Sequence, residues 1–465
     1  MAPVDVTRVR GRSLWLETCD DDLTPQPGPR GDLDVDVAIV GGGLTGLWTA
    51  HSLRAAAPDC RIAVLEAEVC GFGASGRNGG WCSALFPASL EQLARLGGRE
   101  AAIAQYRAMI DTVDEVERST QELGIDCHWA RGGTVTSATN PAHVPRLRDH
   151  VIEQHRWGFG DEDDRWLGPA EAATHVRPTG NAGAHFTPHC AAVQPARLVR
   201  GLARAVERSG VAVHEGTRAT AIGPGVVRTE HGTVRATTVL RCTEGYTAAI
   251  DGHERDVIPI YSMMIATEPM PDDVWERIGL RARETFSDGR HLLIYGQRTA
   301  DGRFAFGGRG APYHFGSAIR DSFDRDRKVA ADLARVLHEL FPATAGARIT
   351  HHWGGPLAVP RDWTASVGLD RATGLGWAGG YVGDGVSTTN LAGRTLADLV
   401  LGRDTELTRL PWVDHSSPPW EPEPLRWIGI NAGRTVAAAT DRREARRRRP
   451  APVLEGLLDR FTGGH

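Results

Sequence analysis

Lysine is almost missing from this chain of 465 residues, in which Lys328 is the only example. The charged residues 324–327 before it predict an exposed helix face there. Cysteine is also sparse: seven cysteines at positions 19, 60, 70, 82, 127, 190 and 242 form no C-x-x-C pair. An odd and scattered set gives neither a disulfide framework nor a paired-cysteine metal site, so we expect no bound metal and a reduced, cytoplasmic protein.

Long hydrophobic runs are lacking too. No apolar run approaches the roughly 20 residues that span a bilayer, and the first residues lack the apolar segment of a signal peptide. The net charge of −5 argues against a general nucleic-acid binder. The arginine-rich stretch 442–449 is positively charged, in contrast to the chain as a whole. It is either a patch for anionic partners or, the interpretation we favour, the solvated end of a helix, where cations complement the helix dipole.

The most informative feature that is present is the segment 37–66. A short apolar run ends in G-x-G-x-x-G at Gly41, Gly43 and Gly46, and a helical pattern follows. The first glycine permits a tight turn, the second lets backbone amides approach a pyrophosphate, and the third lets the helix lie against the sheet. A second apolar run ends in Glu66, which is placed to bind a ribose diol. The pattern predicts an ADP-containing cofactor, NAD or FAD; the alternative is a glycine-rich turn that binds nothing.

The length favours two domains. Glycine-rich signals lie near both ends of the chain, with β-rich sequence between them. We therefore expect an α/β (α+β) architecture in which a Rossmann-like nucleotide-binding domain is assembled from discontinuous segments and an antiparallel β-sheet substrate domain is inserted. The predicted bounds are 1–32 for an N-terminal extension, 33–90, 191–255 and 350–402 for the nucleotide-binding domain, 91–190 and 256–349 for the substrate domain, and 403–465 for a proline-rich wrap and helix.

Motifs along nearly the whole chain carry a family resemblance. They lie, in order, at 13–17, 36–43, 73–80, 306–309, 379–387, 390–394 and 421–427. In this set the chain resembles FAD-dependent oxidoreductases of the D-amino acid oxidase family, above all the branch of γ-glutamylputrescine oxidase and the glycine and sarcosine oxidase-like amine oxidases. The motifs at 41–80 and 379–394 are specific for the flavin fold, and none is specific for a substrate.

The resemblance implies FAD rather than NAD, and it implies which residues bind it. The loop 74–80 would follow the pyrophosphate and flavin ring, and the loop 383–387 would bring amides and a helix N-terminus to the flavin, where they favour its reduced anion. The implied cofactor residues are Gly41, Gly43, Leu44, Thr45, Gly46, Glu66, Ala67, Gly73, Ala74, Ser75, Arg77, Asn78, Gly79, Gly80, Ala219, Thr243, Gly380, Gly383, Asp384, Gly385, Val386 and Ser387.

Two positions depart from the family pattern. Asp384 stands where the family commonly has histidine, and because a carboxylate opposes a reduced flavin, we expect it to turn away or cap the helix. No cysteine lies beyond Cys242, which excludes the C-terminal cysteine linkage of sarcosine oxidases. Cys82 is the remaining candidate for covalent attachment, but a small core residue explains it as well. We expect noncovalent FAD.

The resemblance also implies the chemistry, which is hydride transfer from a carbon bearing an amine to the flavin. His314 would take the amine proton or orient the substrate, unless it is a surface-loop residue. Arg309 would anchor a carboxylate or pair with an acid in the fold. Trp81, Tyr261 and Trp353 would wall the pocket, although ordinary core packing also explains aromatic residues.

Sarcosine oxidase-like relatives place a lysine over the flavin for the reaction with O2, and Lys328 is not in a motif that could supply it. Either another cation serves, or electrons leave to a different acceptor. The activity that the resemblance implies is oxidation of a small amine or amino acid with O2 as acceptor. The alternatives are a dehydrogenase of a 2-hydroxy acid or related alcohol with another acceptor, and a flavin-binding protein without catalysis. The number of chains that assemble is not specified by the sequence.

Overall fold

The computed structural model describes residues 4–308, 310 and 312–454. Within them the helices, numbered in chain order, are α1 Val6–Arg10, α2 Leu14–Glu17, α3 Leu44–Ala56, α4 Leu90–Gly97, α5 Arg99–Glu122, α6 His143–Trp157, α7 Pro169–His175, α8 Pro195–Arg208, α9 Asp272–Ile278, α10 Arg327–Leu340, α11 Gly385–Val400 and α12 Leu425–Arg447. Among the described residues, no helix has the length and apolar character needed to cross a bilayer.

The strands, numbered in the same way, are β1 Leu33–Val40, β2 Ile62–Leu65, β3 Trp81–Ser83, β4 Thr134–Ser137, β5 Arg165–Leu167, β6 Ala184–Thr187, β7 Cys190–Ala192, β8 Ala212–His214, β9 Ala219–Gly223, β10 Val226–Thr229, β11 Gly232–Arg241, β12 Ile258–Thr267, β13 Thr285–Asp288, β14 Ile294–Arg298, β15 Phe304–Gly308, β16 Ile349–Val359, β17 Ser366–Asp370 and β18 Leu375–Gly379.

The first sheet has the order β17-β18-β11-β1-β2-β8, and the strands from β18 to β8 are parallel. Parallel strands need crossover connections, and α3 supplies the one between β1 and β2. Helices α3 and α11 pack closely together at Gly393, where a Cβ atom would lie 2.7 Å from the Thr49 amide nitrogen. The expected α/β nucleotide-binding unit is therefore present.

The second sheet has the order β16-β12-β15-β14-β13-β4-β6-β5 and is mostly antiparallel. Helix α10 packs against it through Leu333, Leu337 and Leu340, whose side chains are buried in the core under the sheet. Those three leucines recur at the spacing of one helix face, which is why the charged residues of α10 lie outside. This sheet is a second β-rich unit, separate from the nucleotide-binding sheet.

Two details differ from the sequence-based prediction. Strand β16, expected within the nucleotide-binding segments, instead pairs antiparallel with β12 along Ile258–Thr267 and so belongs to the second sheet. The register of this pair runs from Ile258 opposite Val359 to Thr267 opposite Ile349. Helices α4 and α5 are separated at Gly98, which adopts a φ of +88°. Helix α6 was not predicted.

Candidate functional site

A first cavity of about 660 Å³ opens at the carboxyl ends of β1, β2 and β11. Strand β1 has β2 on one side and β11 on the other, so the chain crosses over in opposite directions from it. Ligands of open α/β sheets bind at such a switch point. The N-terminal residues of α3 and of α11 both line this cavity, and two helix dipoles therefore direct partial positive charge into it.

The turn between β1 and α3 has the geometry that the glycine motif predicts. Gly41 has a φ of +115°, and a Cβ atom there would lie 2.3 Å from the carbonyl oxygen of Cys242. At Gly46, a Cβ atom would lie 2.0 Å from the carbonyl oxygen of Gly41. Any larger residue would push the strand, the turn and α3 apart, so glycine fixes the close backbone approach on which a pyrophosphate site depends.

Glu66 lies at the end of β2 and lines the first cavity, as expected for a ribose ligand. Its Oε2 accepts a hydrogen bond from the Gly42 amide at 2.8 Å, and its Oε1 accepts one from the Glu68 amide at 2.9 Å. Burial raises the pKa of this carboxyl to about 7. A hydroxyl donor from a bound ligand would compensate for that desolvation, so the residue fits a diol.

Most of the predicted cofactor residues surround the first cavity. Its lining includes Gly41, Gly43, Leu44, Thr45, Glu66, Ala67, Gly73, Ala74, Ser75, Asn78, Ala219, Thr243, Gly383, Gly385 and Val386. The predicted residues outside that lining are Gly46, Arg77, Gly79, Gly80, Gly380, Asp384 and Ser387. Among these, Gly46 acts through helix packing, and the Ser387 hydroxyl donates to the carbonyl oxygen of Ser83.

Arg77 holds the glycine loop in place instead of facing the first cavity. Its guanidinium donates to Asp324 Oδ2 at 2.8 Å, to the Gly354 carbonyl at 3.1 Å and to the Tyr246 hydroxyl at 2.7 Å. The side chain is 2% exposed. Sequence reasoning assigned it to the cofactor because the loop is glycine-rich; its acidic partner lies almost 250 positions away and gives no local signal.

Sequence reasoning missed Glu244, which follows β11 and lines the first cavity. Its Oε2 accepts a hydrogen bond from the Gly380 amide at 2.9 Å, and its Oε1 accepts one from the Ala358 amide at 3.2 Å. Burial raises the pKa of this carboxyl to about 7. The signal that could have found it is its position after the third apolar parallel strand, since residues there share an edge with Gly41 and Glu66.

A second cavity, of about 310 Å³, lies between the first cavity and the second sheet. Its walls are largely apolar and aromatic, and Trp81 packs edge-on against Tyr295 with ring centroids 6.0 Å apart. The two cavities share five lining residues, Ala74, Asn78, Leu357, Gly383 and Val386. The chambers therefore adjoin each other at the glycine loop and at the N-terminus of α11.

The predicted catalytic residues are dispersed. Trp81 lines the second cavity, whereas Tyr261, Trp353 and His314 are not among the described residues that line either cavity. Tyr261 and Trp353 are 1% exposed and pack in the core. His314 stacks on Phe323 with ring centroids 3.4 Å apart. Arg309 lies outside the described residues.

The structure also shows where the residues discussed as departures from the family pattern lie. Asp384 precedes α11 but makes no side-chain capping hydrogen bond, and it lines the second cavity. Cys82 is fully buried in β3 and is absent from the lining of both cavities, and burial raises the pKa of its thiol. Lys328 is 90% exposed, as expected for a charged helix face.

These features define a dinucleotide-binding α/β protein with a second cavity beside its cofactor site. The family model of the FAD-dependent oxidoreductases (DAO) matches residues 36–399, and the chain belongs to this family. FAD is its cofactor, and the first cavity fits it: the amide-lined turn after β1 suits the pyrophosphate, Glu66 suits the ribose, and α11 points its N-terminus at the junction where the flavin ring would lie.

Several characterised proteins are similar to the chain. γ-Glutamylputrescine oxidoreductase of Escherichia coli (strain K12) is 30% identical over 375 residues, which is 79% of this chain and 84% of that protein. The sarcosine oxidase subunit beta of an Arthrobacter species is 24% identical over 397 residues, 81% and 89% of the two chains. The crystal structure of glycine oxidase from Geobacillus kaustophilus matches with a TM-score of 0.70 at 22% identity, covering 82% of this chain and 99% of that one, and shows the fold.

Proposed function

We propose that the chain oxidises a C–N bond of a small amine or amino acid by hydride transfer to N5 of FAD, giving an imine that water hydrolyses, with O2 as the electron acceptor and H2O2 as product. The observation that carries this proposal is the junction of the two cavities. A ligand in the second cavity meets the cofactor site at the five shared residues, so a C–H bond can be held there against the flavin.

The second cavity suits a compact organic substrate. Trp81 and Tyr295 form aromatic walls beside the glycine loop, and the Tyr295 hydroxyl is held by Ser262 at 2.7 Å between oxygens. Rigid aromatic faces exclude water and attract an amine in its cationic form as it enters. The neutral amine is the form that reacts, so these walls orient the substrate and leave the proton to nearby water or to a polar group of the cavity.

A second candidate for the electron acceptor is a carrier other than O2. Lys328, the one lysine of the chain, is 90% exposed on α10 and 3.9 Å from Asp332, away from both cavities. It therefore cannot promote the reaction with O2 from above the flavin. This observation favours, as the second candidate, a dehydrogenase that passes electrons to a carrier, including one acting on 2-hydroxy acids.

We also propose that FAD is held without a covalent bond. Cys82 lies outside the lining of the first cavity, and burial raises the pKa of Cys242, the cysteine that lines it, to about 12. A thiol that stays protonated is a poor nucleophile. Acid precipitation should therefore release all flavin into the supernatant, and yellow precipitate would contradict this proposal.

The function is tested by anaerobic bleaching of the flavin with a panel of polyamines, N-methyl amino acids, D- and L-amino acids and 2-hydroxy acids. Bleaching by an amine, followed by peroxide formation at the same rate in air, supports the proposed oxidase. Bleaching by an amine without peroxide in air supports an amine dehydrogenase. Bleaching by a 2-hydroxy acid alone, or by no compound in the panel, would contradict the proposed C–N oxidation.

A further inference from the structure

A cluster of imidazole and carboxylate groups lies at the far end of the second cavity. His185 on β6 and His150 on α6 both line the cavity, and Asp164, just before β5, is 1% exposed beside them. The Nε2 atoms of His185 and His150 lie 2.6 Å and 4.0 Å from the same Asp164 oxygen, Oδ1. Three potential metal ligands from three different elements thus lie within 4.8 Å of one another.

The geometry is close to that of a zinc site. Bond lengths of about 2.0–2.2 Å place neighbouring ligand atoms of a tetrahedral zinc ion roughly 3.3 Å apart. The observed separations of 2.6 Å and 4.0 Å lie on either side of that value. Side-chain rotations that move the closer pair apart by roughly 0.7 Å, and bring the other two separations, both within 4.8 Å, to a similar distance, would admit the ion between the three atoms.

The surroundings of the cluster hold the ligands in place. The Tyr106 hydroxyl donates to Asp164 Oδ2 at 3.2 Å, leaving Oδ1 for the cluster, and His155 Nε2 contacts the Asp164 carbonyl at 2.8 Å. The His150 ring has no hydrogen-bond partner among the described residues and meets the His185 ring edge-on, with centroids 4.8 Å apart.

A second cluster in the described part of the chain provides the contrast. His291, Asp441 and Glu444 are equally close together. There, however, both Asp441 oxygens accept backbone hydrogen bonds, from His291 and Leu292, and Glu444 is paired with Arg146 at 2.9 Å. Its carboxylates are already compensated by a cation and by amides, and this cluster ties α12 to α6. Within the described part of the chain, no arginine or lysine is paired with the His150 cluster.

We propose that His150, Asp164 and His185 bind a divalent transition-metal ion of the zinc class, with the remaining coordination position open to the second cavity. Imidazole and carboxylate together suit such ions, and an open fourth position is typical of zinc sites that take up a ligand. Three strand spacings of about 4.8 Å separate β6 from β14, so the ion would lie roughly 14 Å from the aromatic walls near the flavin. There it would bind an anionic or neutral donor group at the distal end of the chamber.

The test is calorimetric titration of the EDTA-treated holoenzyme with ZnCl2, with metal analysis after dialysis. We expect one zinc ion per chain in the wild type and at least tenfold weaker binding in His150→Ala and in His185→Gln. His291→Ala, from the contrasting cluster, should bind zinc as the wild type does. The flavin absorbance and unfolding temperature of each variant show that it is folded, and His150→Ala, on the helix surface facing the cavity, keeps the test open if His185→Gln does not fold.

The proposal is overturned if the wild type binds no stoichiometric zinc, or if folded His150→Ala binds it undiminished. Loss of binding in His291→Ala with retention in His150→Ala would place the metal in the other cluster and would equally overturn it. None of these measurements depends on turnover. The proposed metal site can therefore be disproved while the proposed oxidation stands, and the proposed oxidation can be disproved while the metal site stands.

Discussion

Arg77 Nη1 lies 2.8 Å from Asp324 Oδ2, and this ion pair joins the glycine loop of the cofactor site to the segment before α10, the helix that packs against the second sheet. Both side chains are nearly excluded from solvent, at 2% and 7% exposure. Arg12 from the N-terminal segment donates to the same carboxylate. Three distant parts of the chain are therefore fastened at one buried carboxylate beside the FAD site.

Removing one partner of this pair should be costly. Arg77→Met leaves the Asp324 carboxylate buried with less compensation, and breaking a buried pair costs about 3–5 kcal/mol. We expect the free energy of unfolding of the holoenzyme, measured with urea, to fall by about that amount. The matched control is Arg335→Met, whose pair with Glu339 is exposed and should contribute less than about 1 kcal/mol. Equal losses in the two variants would contradict the assignment.

The glycine turn makes a prediction about cofactor affinity. In Gly46→Ala the new methyl group would lie 2.0 Å from the Gly41 carbonyl oxygen, so helix α3 must shift away from the turn. Overpacking of this kind costs about 1–3 kcal/mol, and because the turn forms part of the cofactor site, we expect a roughly 5- to 160-fold weaker FAD affinity. Titration of the apoprotein, followed by flavin fluorescence, measures it. Gly429→Ala in α12 is the control, since nothing lies within 4 Å of its Cβ position.

The position of His314 in the fold predicts only a small effect of its substitution on the rate of flavin reduction. Because the ring stacks on Phe323 and lines neither cavity, we expect His314→Ala to leave the rate of anaerobic flavin reduction within about twofold of the wild type, without the slowing of about 100-fold or more that is typical of a lost acid–base group. Trp81→Leu, which alters a wall of the second cavity, should raise the substrate concentration needed for half-maximal reduction. Stopped-flow reduction measures both, and tenfold slowing in His314→Ala would restore its catalytic role.

Glu244 predicts a pH dependence of stability in the apoprotein. Its pKa rises from an ordinary 4.5 to about 7 on folding, so the folded state binds the proton more tightly and the stability it brings is lost as pH rises from about 4.5 through 7. Glu244→Gln does not titrate. The unfolding free energy of the wild type, relative to this variant, should therefore fall with rising pH by at most about 1.4 kcal/mol per unit. Urea unfolding of both proteins at pH 5 and pH 7.5 measures this change. An unfolding free energy of the wild type that rises with pH relative to Glu244→Gln would contradict the prediction.

Sequence patterns predicted the features that depend on residues close together in the chain. The turn at Gly41 and Gly46 and the acid at Glu66 depend on neighbouring residues, and both lie at the edge of the sheet where the sequence indicated. The roles of Arg77 and His314 could not be predicted in this way. Their partners, Asp324 and Phe323, are brought to them by tertiary packing, and only the fold shows that one arginine serves as a brace and one histidine packs away from the chamber.

The five shared residues at the junction divide the second cavity into two kinds of wall. The wall at the junction also belongs to the cofactor site, whereas β13, β4 and β6 line the second cavity and contribute no described residue to the first. Substitutions on those three strands can therefore reshape the chamber while flavin binding persists. This separation gives the scaffold a route by which related enzymes can acquire new substrates in small steps, and it marks these strands as the place to begin engineering one.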